Sequence, residues 1–123
     1  MGCSVALDAS GRFLDMTYGG VVSAPEMAVA VRRALELAVE HDTWAVLTDC
    51  AALISGPAVL DLYSLVEALA HLEALPRYRE AIVRPVDPVA AESVRFWETA
   101  AVNRGLQSRT FADRARAVAW LAG

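Results

Sequence analysis

Asp49 and Cys50 stand side by side at the end of an apolar run, Trp44-Ala-Val-Leu-Thr-Asp-Cys. The carboxyl end of a strand is where open α/β sheets place ligands. A thiol there suits a nucleophile or a ligand contact. A catalytic thiol also needs a base or an electropositive setting, and neither His41 nor His71 follows nearby. Cys50 therefore reads first as a small buried residue, and Asp49-Cys50 as a binding contact rather than a catalytic pair. A little further on, Ser55-Gly56-Pro57 precedes a long helical pattern. Ser55 reads there as the helix's N-terminal cap. His41 and His71 belong to no His-x-His or His-Glu-x-x-His grouping, so no metal site is expected. His41 falls in the last turn of the first helical pattern, and His71 follows Glu67 as a helix-surface pair. Arg77, Arg79 and Arg84, with Tyr78, form a local basic cluster suited to an anionic group, which Glu80 and Asp87 dilute.

The elements that must position these residues follow from local punctuation. Cys3 to Asp8 and Arg12 to Tyr18 alternate and flank Asp8-Ala9-Ser10-Gly11, which predicts an antiparallel hairpin ended by Gly19-Gly20. Ser23-Ala24-Pro25-Glu26 is a capping box opening a helix to about His41. Trp44 to Cys50 is apolar enough for a strand covered on both faces. Ser55-Gly56-Pro57 starts a second helix that runs to about Ala74, before Pro76. Glu80 to Arg84 is a short central strand. Asp87-Pro88 opens a third helix, which Gly105 ends in a left-handed conformation. Leu106 to Phe111 is the last strand, and Asp113 caps a closing helix. The order is β-β-α-β-α-β-α-β-α, which implies a mostly parallel five-stranded sheet covered by helices, with the hairpin as its antiparallel edge.

Composition excludes several classes of function. The chain has 123 residues, one domain by size, and is 56% hydrophobic with a mean hydropathy of +0.37. Charges interrupt every apolar stretch before the roughly 20 residues a membrane span needs. The start lacks a signal-peptide pattern, and a cytoplasmic location is expected. Cys3 and Cys50 are too few for a disulfide framework. All 11 basic residues are arginine, which, with the many alanines, matches the codon bias of a GC-rich bacterial genome. A net charge of −4 argues against a nucleic-acid partner. No cofactor-binding motif is present.

Phe96-Trp97-Glu98, Asn103-Arg104-Gly105, Thr110-Phe111-Ala112-Asp113 and Ala119-Trp120-Leu121, with Gly11-Arg12-Phe13 and the Trp44-to-Asp49 strand, give the chain its resemblance. It resembles the small bacterial SpoIIAA-like (STAS-type) domains over essentially its whole length, and more remotely the CRAL-TRIO lipid-binding domains. In phospho-regulated STAS antagonists a strand ends in Asp, and a Ser-Gly at the next helix is phosphorylated by a partner kinase. The resemblance places that role on Asp49 and Ser55-Gly56, with Ser55 as the phosphorylatable residue. The chain departs from the pattern at Ile54, where those proteins carry a polar residue, and at Pro57.

The second helical pattern is apolar around most of its circumference. Its polar positions Asp61, Ser64, Glu67 and His71 form one stripe, while Val59, Leu60, Leu62, Tyr63, Leu65, Val66, Leu69 and Leu72 surround it. The first pattern is similar, with Arg33, Glu36 and Glu40 on one side. A helix covering one sheet face needs a narrower apolar stripe. The surplus implies a homodimer, another protein partner, or a cavity for an apolar ligand, with Tyr63 among the binding residues. The expected function is non-catalytic binding or regulation through protein–protein contact. The alternative is a carrier for a lipid or small apolar ligand, held between the first two helices and the sheet.

Overall fold

Ser23 fixes the entry into the first helix as its neighbours require. In the computed structural model, which describes residues 2–123, α1 spans Ala24–His41. Ser23 Oγ accepts the Glu26 amide at 3.2 Å, and Glu26 Oε1 accepts the Ser23 amide at 2.9 Å. The capping box is therefore complete. The hairpin forms from β1 (Gly2–Leu7) and β2 (Leu14–Val21), with Cys3 opposite Tyr18 and Leu7 opposite Leu14.

β3 (Ala45–Asp49) runs parallel to β2 along Leu14–Thr17. The strand does not end at Gly19-Gly20. It continues to Val21, because a short strand β4 (Leu53–Ser55) pairs with Gly20 and Val21 beyond the end of β3. β5 (Arg79–Val83) joins β3, and β6 (Gln107–Phe111) joins β5, both parallel. The order is β1-β2-β3-β5-β6 with β4 added on β2, so the sheet has six strands where the sequence predicted five.

Adding β4 displaces the second helix. α2 spans Val59–Ala70, and its N-cap is Ala58, which makes no side-chain capping bond. Ser55 is therefore not a helix cap: its backbone is extended and paired with β2. α2 also stops short of Ala74, and a single 3-10 turn at Leu75–Arg77 leads into β5. α3 (Pro88–Asn103) begins as predicted, with Asp87 Oδ1 accepting the Val89 and Ala90 amides. Gly105, at φ +94°, ends it in the left-handed region where a Cβ is strained. Asp113 caps α4 (Arg114–Ala122) through the Arg116 amide.

Side-chain alternation sorts the strands onto two faces. Leu14, Met16, Tyr18, Val46 and Ile82 pack with α1, α2 and α3. Phe13, Leu47, Ala81 and Val83 meet Ala117 of α4 on the other face. β3 is thus buried from both sides, as its unbroken apolar run implies. At the outer edge of β6, Glu98 of α3 accepts the Thr110 hydroxyl at 2.9 Å and the Thr110 amide at 3.3 Å. Among the described residues, no helix is long and apolar enough to cross a membrane.

Candidate functional site

The face covered by three helices encloses a cavity of about 70 Å3. Its floor is the sheet (Met16, Tyr18, Val46, Thr48, Glu80 and Ile82), and its roof comes from α1, α2 and α3. Nearly all of the lining is apolar or aromatic, including Trp44, Tyr78 and Trp97. The polar side chains in the lining are Thr48, Ser93 and Glu80, of which Glu80 alone carries a carboxyl group, buried to 4% exposure.

Strand geometry puts it there. Glu80 and Ile82 share one face of β5, while Ala81 and Val83 face α4. Three neutral donors hold the carboxylate: Thr48 Oγ1 to Oε2 at 2.8 Å, Trp97 Nε1 to Oε1 at 2.8 Å, and Ser108 Oγ to Oε1 at 3.0 Å. Ser108 lies directly opposite Glu80 across the β5–β6 pairing, Thr48 comes from β3, and Trp97 from α3. Burial raises the Glu80 pKa, and the three hydrogen bonds oppose that rise without cancelling it. No arginine or histidine among the described residues pairs with it. Beside it, Tyr18 donates only to the Met16 thioether at 3.7 Å, a weak acceptor. Burial also raises the Tyr18 and Tyr78 phenols.

The residues singled out from sequence divide between this cavity and the outside. Cys50 and Gly56 line it. Cys50 is buried, and burial pushes its thiol pKa far up, which keeps it protonated. Asp49 faces the other way: Oδ1 accepts the Ala51 amide, and Oδ2 lies 3.4 Å from Arg114 of α4. Arg114 also pairs with Asp15. The sheet thus separates the Asp49 carboxylate from the Cys50 thiol. Ser55 and Tyr63 are exposed and lie outside the cavity.

The basic cluster disperses in the same way. Arg77 pairs with Asp42 at 2.7 Å. Arg79 donates to the Trp120 and Leu121 carbonyls and stacks 4.3 Å over the Trp120 ring, while Arg84 is exposed. Glu80, read from sequence as a diluting surface charge, is instead the buried acid of the cavity. Glu67 does not pair with His71. It lies 2.6 Å from Arg104, at an angle that makes an ion contact but no hydrogen bond. His41 does sit in the last turn of α1. No cluster of three metal-ligating side chains occurs among the described residues.

Outside the cavity, a shallow groove runs between α1 and α2 and shares Met27 and Pro57 with the cavity lining. Apolar side chains are also exposed on three elements that pack together: Ile54 on β4, Val59, Leu60 and Tyr63 on α2, and Val86 and Val89 at the start of α3. Leu60 is 80% exposed and Val86 85%.

No protein-family model matches the chain, and no curated protein is similar to it in sequence. Among solved structures it is similar to an uncharacterised protein of the DUF3478 family with a SpoIIAA-like fold, from Shewanella loihica PV-4. The two superpose with a TM-score of 0.64 at 17% identity, over 98% of this chain and 94% of the other. The expected fold is confirmed: an antiparallel hairpin, a parallel remainder and four helices.

Proposed function

With a SpoIIAA-like fold as premise, we propose that this chain is a non-catalytic binding domain whose cavity takes a small, mainly apolar molecule. The observation that carries the reading is the apolar cavity with one buried carboxyl group in its wall. An apolar lining supplies affinity by desolvation, and a single fixed polar group supplies orientation. At about 70 Å3 the space exceeds that of one water, roughly 10–15 Å3 by a similar measure. It is well below the roughly 300 Å3 at which pockets for drug-sized ligands begin. The ligand is therefore smaller than a lipid, unless the helices part. The groove that shares Met27 and Pro57 with the cavity gives a short entry path between α1 and α2. The protonated Cys50 thiol, on the opposite face from Asp49, favours binding over catalysis.

Titration of isopentanol into isotopically labelled protein tests this reading, with the Trp97 indole N–H resonance as reporter. Saturable shifts confined to cavity residues are expected. Shifts spread over the surface, or none at all, would sink it.

The exposed apolar side chains of β4, α2 and α3 favour a second role beside the first. We propose that this face meets a second copy of the chain. Ser55, next to Ile54 on β4, is exposed, and a phosphate there would add charge beside an apolar contact and weaken it.

A further inference from the structure

The Glu80 carboxylate has hydrogen-bond donors but no counter-charge. Thr48, Trp97 and Ser108 are all neutral, and they come from β3, α3 and β6. Because the Trp97 N–H can only donate, Oε1 is an acceptor in either protonation state, while the Thr48 hydroxyl can donate to Oε2 of the ionised group or accept from the protonated one. A buried anion without a cation is costly unless something supplies one. The aromatic rings of Tyr18, Trp44, Tyr78 and Trp97 line the same space, and aromatic faces attract cations. The Tyr18 hydroxyl, spent only on a thioether, has lone pairs free for a donor entering the cavity.

Resting on the cavity reading above, we propose that the ligand is a small organic ammonium: a short apolar body whose protonated nitrogen meets Glu80. The ammonium supplies the missing counter-charge and N–H donors, while its hydrocarbon part fills the apolar remainder. Binding draws on the ionised form of Glu80, so acidification weakens it. The other titratable groups near Glu80 are Tyr18 on β2, Tyr78 before β5, Cys50 after β3 and Glu98 on α3. The phenols and the thiol stay neutral through the acidic and neutral range, and the negative Glu98 further disfavours ionisation of Glu80.

The test compares two probes of matched shape, isopentylamine and isopentanol, in the wild-type protein and in Glu80→Gln, again through the Trp97 indole resonance. Glutamine keeps an acceptor for Trp97 and Ser108 and loses the charge. The amine should bind the wild type about tenfold more tightly than the alcohol, the ratio expected when a hydrogen bond gains a full charge. Glu80→Gln should erase or invert that preference. In the wild type, amine affinity should fall as the pH is lowered and Glu80 takes up its proton, at a pH above the ordinary carboxylate range because burial raises its pKa. This third result stands even if the variant folds poorly. If the alcohol binds both proteins and the amine neither, the cavity reading survives and the ammonium assignment is overturned. Equal amine affinity in wild type and variant overturns it as well. If neither probe moves a cavity resonance, both readings fall.

Discussion

Replacing Glu80 with an uncharged residue should change stability by an amount that varies with pH in the same way whichever residue replaces it. The Glu80 pKa is raised in the folded protein by burial, so the folded state holds its proton at pH values where the unfolded chain has released it. Its contribution to stability is fully present below the unfolded value. It is lost as pH rises through the folded value, at about 1.4 kcal/mol per unit of difference. Glu80→Gln removes the titration and keeps the contacts: its oxygen accepts from Trp97 and Ser108, and its amide donates to Thr48. Near pH 4 it should match the wild type, and near pH 8 it should be the more stable of the two. Glu80→Ala also removes the titration, but it strands the Trp97 N–H, at about 1–3 kcal/mol. It further gives up one methylene group of packing, at about 0.8 kcal/mol. At acid pH, alanine should therefore cost about 2–4 kcal/mol. Above the folded pKa, relief from the buried charge should offset part of that cost. Urea unfolding followed by tryptophan fluorescence across this range gives both curves. Plotted against wild type, the two variants should change in parallel with pH, separated by the cost of truncation. Flat curves for both would mean that the carboxyl group titrates as if in water, and the burial argument would be wrong.

Other expectations test separate parts of the molecule. Leu60→Asp places a charge on the exposed face of α2; it should shift sedimentation from dimer to monomer and change monomer stability by no more than about 0.5 kcal/mol. A wild-type protein that is monomeric at every accessible concentration would refute the interface. The Cys50 thiol should resist alkylation near pH 8 in the folded protein and react once urea unfolds it. Cys50→Ala should cost about 1 kcal/mol, the scale of one small buried group, and rapid labelling of native Cys50 would contradict its burial. Ser23→Ala should lower unfolding free energy by about 1 kcal/mol through loss of the α1 cap, and an unchanged urea midpoint would count against the capping box.

What the sequence made legible was mostly local. Ser23, Asp87, Asp113 and Gly105 each act within a few residues of themselves, so the ends they set could be read directly from composition and order. β4 was not legible, because three residues carry little periodicity and its partners, Gly20 and Val21, lie on a distant strand. That omission moved the start of α2 and gave Ser55 a capping role that the backbone does not allow. Of the candidate site, Cys50 and Gly56 were found because strand ends and glycines are visible in sequence. Glu80 was missed although a signal existed: on a strand read as central, it shares the parity of Ile82 and must face the same way. The nearby arginines drew the reading toward solvent. Its three donors come from separate elements, and no local pattern announces such a meeting.

The grip of Glu98 on Thr110 bears on how the sheet behaves when crowded with other chains. A sheet's last strand offers unpaired amides to any extended segment that drifts past, which is how templated polymerisation begins. On β6 one such amide is already occupied, and the group occupying it carries a negative charge. An incoming strand meets an anion where it needs a donor, and it must evict α3's side chain to continue the ladder. On the β1 side, no described side chain plays that part, so growth into fibrils, where conditions favour it, has its easier starting point at the hairpin.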